Sequence, residues 1–162
     1  MKKEVVRRGF NQATIKNVQL VPLVAHVDDR GYLIEIIRAV DPYLHKFGQT
    51  YLVGDFSPGT IRAFHKHKLL WDYFFISHGS AKFVLVDDRQ NSTTYREMNI
   101  FVISARNPSL LVVPPQIFHG WMALEGDTQM ISTASEVYNR EEPDEVRIPW
   151  DSFGDVWEVK GR

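Results

Sequence analysis

An all-β fold, arranged as a sandwich, jelly roll or small barrel, is predicted by three features of this sequence. Short runs rich in Val, Ile, Phe, Tyr and Thr recur along the chain, turn residues bound them, and no long window carries an apolar stripe at helical period. Many strands at roughly even spacing must pair into layered or closed sheets to bury one face each. The expected strands run over 18–27, 32–38, 50–56, 60–64, 72–77, 81–86, 93–98, 101–104, 110–113, 118–124 and 129–133. Between them stand Asp29-Arg30-Gly31, Ser57-Pro58-Gly59, His78-Gly79-Ser80, the polar stretch 87–92, Asn107-Pro108, Pro114-Pro115 and Glu125-Gly126-Asp127, all turn-forming. Short helical segments are expected over 39–47 and near the C-terminus.

The 162 residues are expected to form one domain over 1–162, with 1–17 as an N-terminal arm. A chain of this length buries roughly 70% of its unfolded surface, enough for one real core. Hydrophobic residues at 44% and charged residues at 24% are globular values and exclude disorder and collagen. With 19 Lys and Arg against 20 Asp and Glu, the formal charge is -1, so no overall basic field exists to hold a nucleic acid, and none is expected as partner. The absence of cysteine excludes disulfides, thiolate metal sites and cysteine nucleophiles. No apolar run approaches the ~20 residues of a bilayer-spanning helix. Lys2, Lys3, Arg7 and Arg8 are not followed by an apolar segment of the secretory kind, so the basic start is expected to be solvated and the protein cytoplasmic, without a membrane partner.

The histidines carry most of the chemistry. His65 and His67 stand two apart on one expected strand, where period-two geometry gives them a common face. Asp72 opens the next strand, and the turn at Gly79 folds the chain back. His119 follows the Pro114-Pro115 turn, so three imidazoles and a carboxylate could converge inside a barrel.

On these residues the sequence resembles the cupins. Their first signature is Gly, five residues, His-x-His, three or four residues, Glu, six residues, Gly; it is met from Gly59 to Gly79 with Asp72 in place of Glu. The second is met in part, by Pro114 and His119, with Gln116 and Ala123 where Gly and Asn are usual.

Within the cupins, four segments resemble the dTDP-4-dehydrorhamnose 3,5-epimerase family and its relatives acting on nucleotide-linked deoxysugars. They are Asp28-Asp29-Arg30-Gly31-Tyr32-Leu33-Ile34-Glu35; Gly59-Thr60-Ile61-Arg62-Ala63-Phe64-His65; the strand ending in Asp87-Asp88-Arg89 with Ser92-Thr93-Thr94-Tyr95; and 114–120 with Tyr138, Pro143, Glu145 and Trp150-Asp151. The resemblance implies a homodimer sharing strands, a nucleotide-sugar substrate, no cofactor, and epimerase or isomerase chemistry beside a 4-keto group. It implies His65 as base with Asp151 as its carboxylate partner and His119 beside them. Arg30, Glu35, Arg62, His67 and Tyr138 are the substrate-binding candidates.

Such chemistry needs a base for the acidic hydrogen next to the carbonyl, donors for the enolate oxygen, and an acid on the opposite face. Histidine suits the base, since its ordinary pKa of ~6.5 lies near working pH. The chain departs from the family at several of these positions. Asp72 stands where the family has an oxyanion-stabilising Lys, Ser132 or Thr133 where it has a catalytic Tyr, and Ser152 at the strict register of the partner Asp. His67 replaces a Gln, and the resulting His65-Lys66-His67 is similar to the sugar 3,4-ketoisomerases.

The alternative from a different class is a metal-dependent cupin with His65, His67, Asp72 and His119 around a divalent ion, a normal nitrogen and oxygen donor set. A non-catalytic sugar-binding cupin is the third. Plainer roles stand beside the candidates. Arg30 can make a turn ion pair with Asp28 or Asp29, and Arg62 lies off the face of His65 and His67. Trp71, Tyr73, Phe74 and Phe75 are expected in the core or an interface, Trp121 in a wall, and His26, His45 and His78 on the surface.

Overall fold

A computed structural model describes residues 3–159. Thirteen strands run in chain order: β1 (Val6–Phe10), β2 (Gln19–Pro22), β3 (Ala25–Asp28), β4 (Gly31–Ile34), β5 (Gln49–Asp55), β6 (Ile61–Lys66), β7 (Asp72–His78), β8 (Ser80–Asp87), β9 (Glu97–Ser104), β10 (Ser109–Val113), β11 (Ile117–Ala123), β12 (Thr128–Ala134) and β13 (Val146–Arg147). A six-stranded sheet has the order β1-β9-β8-β11-β6-β13, a five-stranded sheet the order β2-β10-β7-β12-β5, and β3-β4 form a separate hairpin. This is the expected all-β jelly roll.

Alternation along the strands sorts side chains into layers. Phe83 and Leu85 of β8, Phe101 of β9, Phe74 and Ile76 of β7, Leu111 of β10 and Trp121 of β11 meet between the two large sheets. Their neighbours point outward, yet they are buried as well. Val84, Val86, Met98, Ile100 and Phe118 are covered by Phe153, Val156 and Trp157 of the C-terminal segment. Tyr73, Phe75, Leu110 and Val112, on the outer face of the other sheet, are covered by Leu23, Ile36, Ile37, Tyr43 and Leu44. β8 and β11 are therefore buried at every position.

The helical expectation is corrected: among the described residues there is no helix, and none is long and apolar enough to cross a membrane. Residues 39–47 form turns fixed by Asp41, which accepts the Arg38 backbone N–H at 2.8 Å and the Tyr43 hydroxyl at 3.0 Å. Tyr43 and Leu44 pack on the outer face of β7 and β10, and the backbone bonds here are isolated turns, from Asp41 N–H to Arg38 O and from Leu44 N–H to Asp41 O, not a helical ladder. The strand expected over 18–27 splits, because β2 pairs with β10 while β3 leaves the sheet to pair with β4. The one expected over 32–38 stops at Ile34, since Ile36 and Ile37 turn onto the outer face of the five-stranded sheet. The two expected over 93–98 and 101–104 are one strand, β9. Within 1–17, β1 lies parallel to β9.

Residues 93–96 are held as a turn by Asp87, which ends β8. Its carboxylate accepts Nε and Nη2 of Arg89 at 2.8 Å each, the Arg89 N–H at 3.0 Å, Ser92 Oγ at 2.7 Å and Thr94 Oγ1 at 2.6 Å. The Asp87, Arg89, Ser92 and Thr94 motif is thus a structural clasp. Burial raises the carboxyl's pKa, but these five donors outweigh it and hold the group at about 2.

A carboxylate moved from the ordinary range to about 2 contributes roughly 2–3 kcal/mol at neutral pH. Because the folded value is the lower one, that stability is complete above pH ~4 and is lost as pH falls toward 2. Asp87→Asn should therefore lower urea-unfolding stability by about 2 kcal/mol at pH 7 and flatten the acid limb between pH 4 and 2. An unchanged acid limb would contradict the clasp.

Candidate active site

A cavity of about 790 Å³ opens between the inner faces of the two large sheets. The six-stranded sheet contributes Arg62 and His65 of β6, and His119 and Trp121 of β11, while His67 follows β6 directly. The five-stranded sheet contributes Tyr51 of β5 and Asp72 and Phe74 of β7.

The pairing of β6 with β11 decides which side chains enter. His65 faces His119 and Arg62 faces Trp121, so three steps along β6 match two along β11. That extra residue is a bulge, and it turns Arg62 and His65 to the same side. Arg62, which strict alternation would send outward, lines the cavity and holds Asp55 Oδ1 through Nη2 at 2.7 Å and Nε at 2.9 Å. Opposite the bulge, Gly120 leaves room for β6: a Cβ there would stand 2.2 Å from Ala63 Cβ. The Gly after His119 is thus required by packing.

The three imidazoles form one cluster. The ring centres of His65 and His119 lie 4.2 Å apart, those of His65 and His67 5.4 Å, and those of His67 and His119 5.6 Å. His119 Nδ1 donates to the Ile117 carbonyl at 2.9 Å, and His67 Nδ1 donates to the Asp144 carbonyl. A carbonyl only accepts, so both contacts assign the ring proton to Nδ1 and leave a lone pair on Nε2. The Asp144 side chain fixes the same loop by accepting the N–H groups of Lys68, Leu69 and Leu70. Both free Nε2 atoms point at Asp72 Oδ2, from 3.4 Å for His119 and 3.5 Å for His67.

Asp72 is buried, and its Oδ2 has no hydrogen-bond partner, nor has His119 Nε2. Burial pushes the Asp72 carboxyl up to about 7, against the pull of His67. Burial and the other two histidines push His119 well below the ordinary imidazole range. Burial first, then His67, brings His65 down to about 4, while Glu145 opposes the shift. Three acceptor atoms facing one another inside a protein repel unless something positive lies between them, a proton or a cation.

The donor set suits a divalent cation, around which the three imidazoles would draw somewhat closer together. Nitrogen ligand atoms of His65, His67 and His119 all lie within 4.8 Å of one another. A tetrahedral site with bonds of about 2.1 Å has edges of about 3.4 Å. The two Nε2 to Oδ2 separations match it, and imidazoles anchored through Nδ1–H on carbonyls are the usual outer support of metal-binding histidines.

The other sequence candidates are distributed differently. Tyr138 lines the cavity from the loop after β12. Arg30 sits at the tip of the β3-β4 hairpin in an ion pair with Asp28 at 2.5 Å, and Glu35 is exposed beyond β4; neither belongs to the cavity wall of this chain. Asp151 lies in an exposed turn, where its carbonyl accepts the Gly154 N–H at 3.0 Å, and among the described residues no ion pair joins it to His65. Ser152 donates to the Pro149 carbonyl in that turn. A carboxylate of the cavity wall whose charge acts on His65 is Glu145, which leads into β13, whose Arg147 pairs with His65 across the sheet edge. Glu145 is paired with Arg147 at 2.8 Å. Glu145, Arg147 and Tyr51 carry no site signal in the sequence; β13 is only two residues long and carries no strand signal.

The sequence matches the family described as dTDP-4-dehydrorhamnose 3,5-epimerase over residues 12–159. It is 37% identical over 152 residues to the spore coat polysaccharide biosynthesis protein SpsL of Bacillus subtilis, covering 91% of this chain and 99% of that one. It is 32% identical over 145 residues to the probable low-salt glycan biosynthesis epimerase Agl13 of Haloferax volcanii, covering 85% and 89%. The fold superposes on a dTDP-4-dehydrorhamnose 3,5-epimerase from Bacillus anthracis with a TM-score of 0.82, at 24% identity and over 93% and 90% of the two chains. A match over nearly the whole chain, supported by relatives of this similarity, makes the protein a member of the dTDP-4-dehydrorhamnose 3,5-epimerase family.

Proposed function

We propose that the protein is an epimerase or isomerase of a nucleotide-linked 4-keto-6-deoxyhexose in deoxysugar or polysaccharide biosynthesis, and that His65 removes the proton next to the keto group. The names of the relatives, a spore coat polysaccharide protein and a glycan biosynthesis epimerase, support this substrate class. The observation that carries the reading is an imidazole inside the cavity, beside a carboxylate and kept unprotonated at neutral pH. Neutral His65 can take a proton, and Glu145 stabilises the imidazolium that forms. The electron pair left on carbon moves to the carbonyl oxygen. Asp72 in its protonated form keeps its proton toward the Nε2 atoms of His67 and His119, so the cluster sets no carboxylate charge against the enolate. Arg62, whose Nε and Nη2 are held by Asp55, leaves its outer N–H groups as donors for a phosphate at the same cavity.

His65→Asn should keep the melting temperature and nucleotide affinity while slowing exchange of the substrate's C3 or C5 hydrogen with solvent by at least ~10²-fold. Exchange in deuterated water, followed by NMR on a dTDP-4-keto-6-deoxyhexose, is the measurement. Unchanged exchange would place the base elsewhere.

A second reading is favoured by the orphaned Asp72 Oδ2 and His119 Nε2. Here His65, His67, Asp72 and His119 hold a divalent ion, which when bound would polarise the keto oxygen as a Lewis acid. On that reading, tag-free protein contains stoichiometric metal, and Asp72→Ala lowers metal content and melting temperature together. Metal-free protein whose melting is indifferent to added Zn²⁺ or Mn²⁺ would dispose of it.

The protein is further proposed to act as a homodimer. The β3-β4 hairpin bearing Arg30 is exposed at every residue but Ile34, with Tyr32 at 75%. The single chain exposes 9677 Å², against about 8,300 Å² for a compact monomer of this mass. A partner that received the hairpin would cover Val27, Tyr32 and Leu33 and bring Arg30 and Glu35 toward a second cavity. Solution scattering should give twice the chain mass; a monomer mass at every concentration would contradict it.

A further inference from the structure

Inverting a carbon beside a keto group takes two proton-transfer groups, one for each face of the sugar ring. On the proposed function His65 serves one face from the six-stranded sheet. A ring held between the sheets turns its other face to the five-stranded sheet, so the second group has to come from β5, β7 or β12. Asp72 Oδ2 is occupied by facing His67 and His119. Ser132 and Thr133 of β12 carry only aliphatic hydroxyls, which are too weakly acidic to give a proton to an enolate.

β5 offers a phenol. Leu52 points outward at 61% exposure, and by alternation Tyr51 points inward, where it lines the cavity. Its partner across the β5-β12 ladder is Ser132. Directly paired residues share a face with Cβ atoms about 5 Å apart, so the short side chain at Ser132 leaves the space over β12 to the Tyr51 ring. Ser132 is fully buried and its Oγ has no hydrogen-bond partner at normal distance, which leaves the phenol as the polar group facing it. Tyr51 is 43% exposed, and a phenol of ordinary pKa ~10 holds its proton at neutral pH; its partial burial raises that value further. The other phenol of the wall, Tyr138, is carried by a loop and is 57% exposed.

We propose that Tyr51 is the acid that delivers a proton to the ring face opposite His65. In the step, His65 takes the proton of the C–H bond and the electron pair passes to the keto oxygen as an enolate. The enolate carbon then forms a new C–H bond on the other face with the Tyr51 proton, restoring the carbonyl. The Tyr51 phenolate regains a proton from water and the His65 imidazolium returns one, so no other reactant is consumed.

The inference rests on the function proposed for His65, and the two separate experimentally. In deuterated water with a dTDP-4-keto-6-deoxyhexose as probe, Tyr51→Phe should still exchange the ring hydrogen on the original face within a few-fold of wild type. It should form the inverted sugar at least ~10²-fold more slowly, with an unchanged melting temperature. Inversion at the wild-type rate in Tyr51→Phe would overturn the assignment. So would loss of exchange and inversion together, because Tyr51 would then act at or before proton removal. The exchange-without-inversion split appearing in Tyr138→Phe while Tyr51→Phe inverts normally would move the role to Tyr138. Exchange unaffected by His65→Asn would overturn the base and leave the Tyr51 result standing by itself. A wild-type protein that exchanges no hydrogen of the probe would overturn both.

Discussion

Asp72 sits at the start of β7, buried, with the lone pairs of two imidazoles aimed at its Oδ2. Everything else about the cavity follows from keeping that arrangement in place. Three acceptors cannot face one another without a positive centre, so the cluster holds a proton or a cation at its middle. The anchoring of His67 on the Asp144 carbonyl and of His119 on the Ile117 carbonyl denies either ring an easy escape by flipping. His65, third in the cluster and not anchored on a carbonyl, is left as a neutral imidazole at the cavity.

The sandwich makes this possible because both large sheets are sealed on their outer faces. The C-terminal Phe153, Val156 and Trp157 cover one, and the turns over 35–48 cover the other. With the outer faces closed, the two sheets can stay apart at one end and leave a cavity without losing their core at the other. The bulge of β6 against β11 then orients Arg62 and His65 into that space, and Gly120 makes the close approach possible.

Much of this was legible in the sequence, and the reasons differ by residue. The His65, His67, Asp72 and Gly79 spacing holds because strands alternate strictly and turns need glycine, so residue counts translate into geometry. Ser132 and Asp72 stand out as departures from a family pattern; Asp72 lines the cavity, and Ser132 is buried opposite Tyr51, which lines it. The motif around Asp87 was readable as a pattern but not as a role; the structure makes it a clasp. Arg62 escaped the alternation rule because a bulge is invisible in a single sequence. Glu145 and Tyr51 are not legible for another reason: one precedes a two-residue strand and the other faces Ser132 across a ladder, and neither pairing is encoded locally. Residues 39–47 form turns rather than the expected helix because Asp41 caps the Arg38 N–H and Tyr43 and Leu44 pack on the sheet, and tertiary packing overrides a weak local preference.

The arrangement around Asp72 depends on the proton positions of two histidine rings. Long-range ¹⁵N–¹H correlation spectra of the metal-stripped protein near neutral pH report them directly. His67 and His119 should both carry their proton on Nδ1 and show an unprotonated Nε2. A proton on Nε2 of either neutral ring would mean that the lone pairs do not face Asp72, and would contradict it.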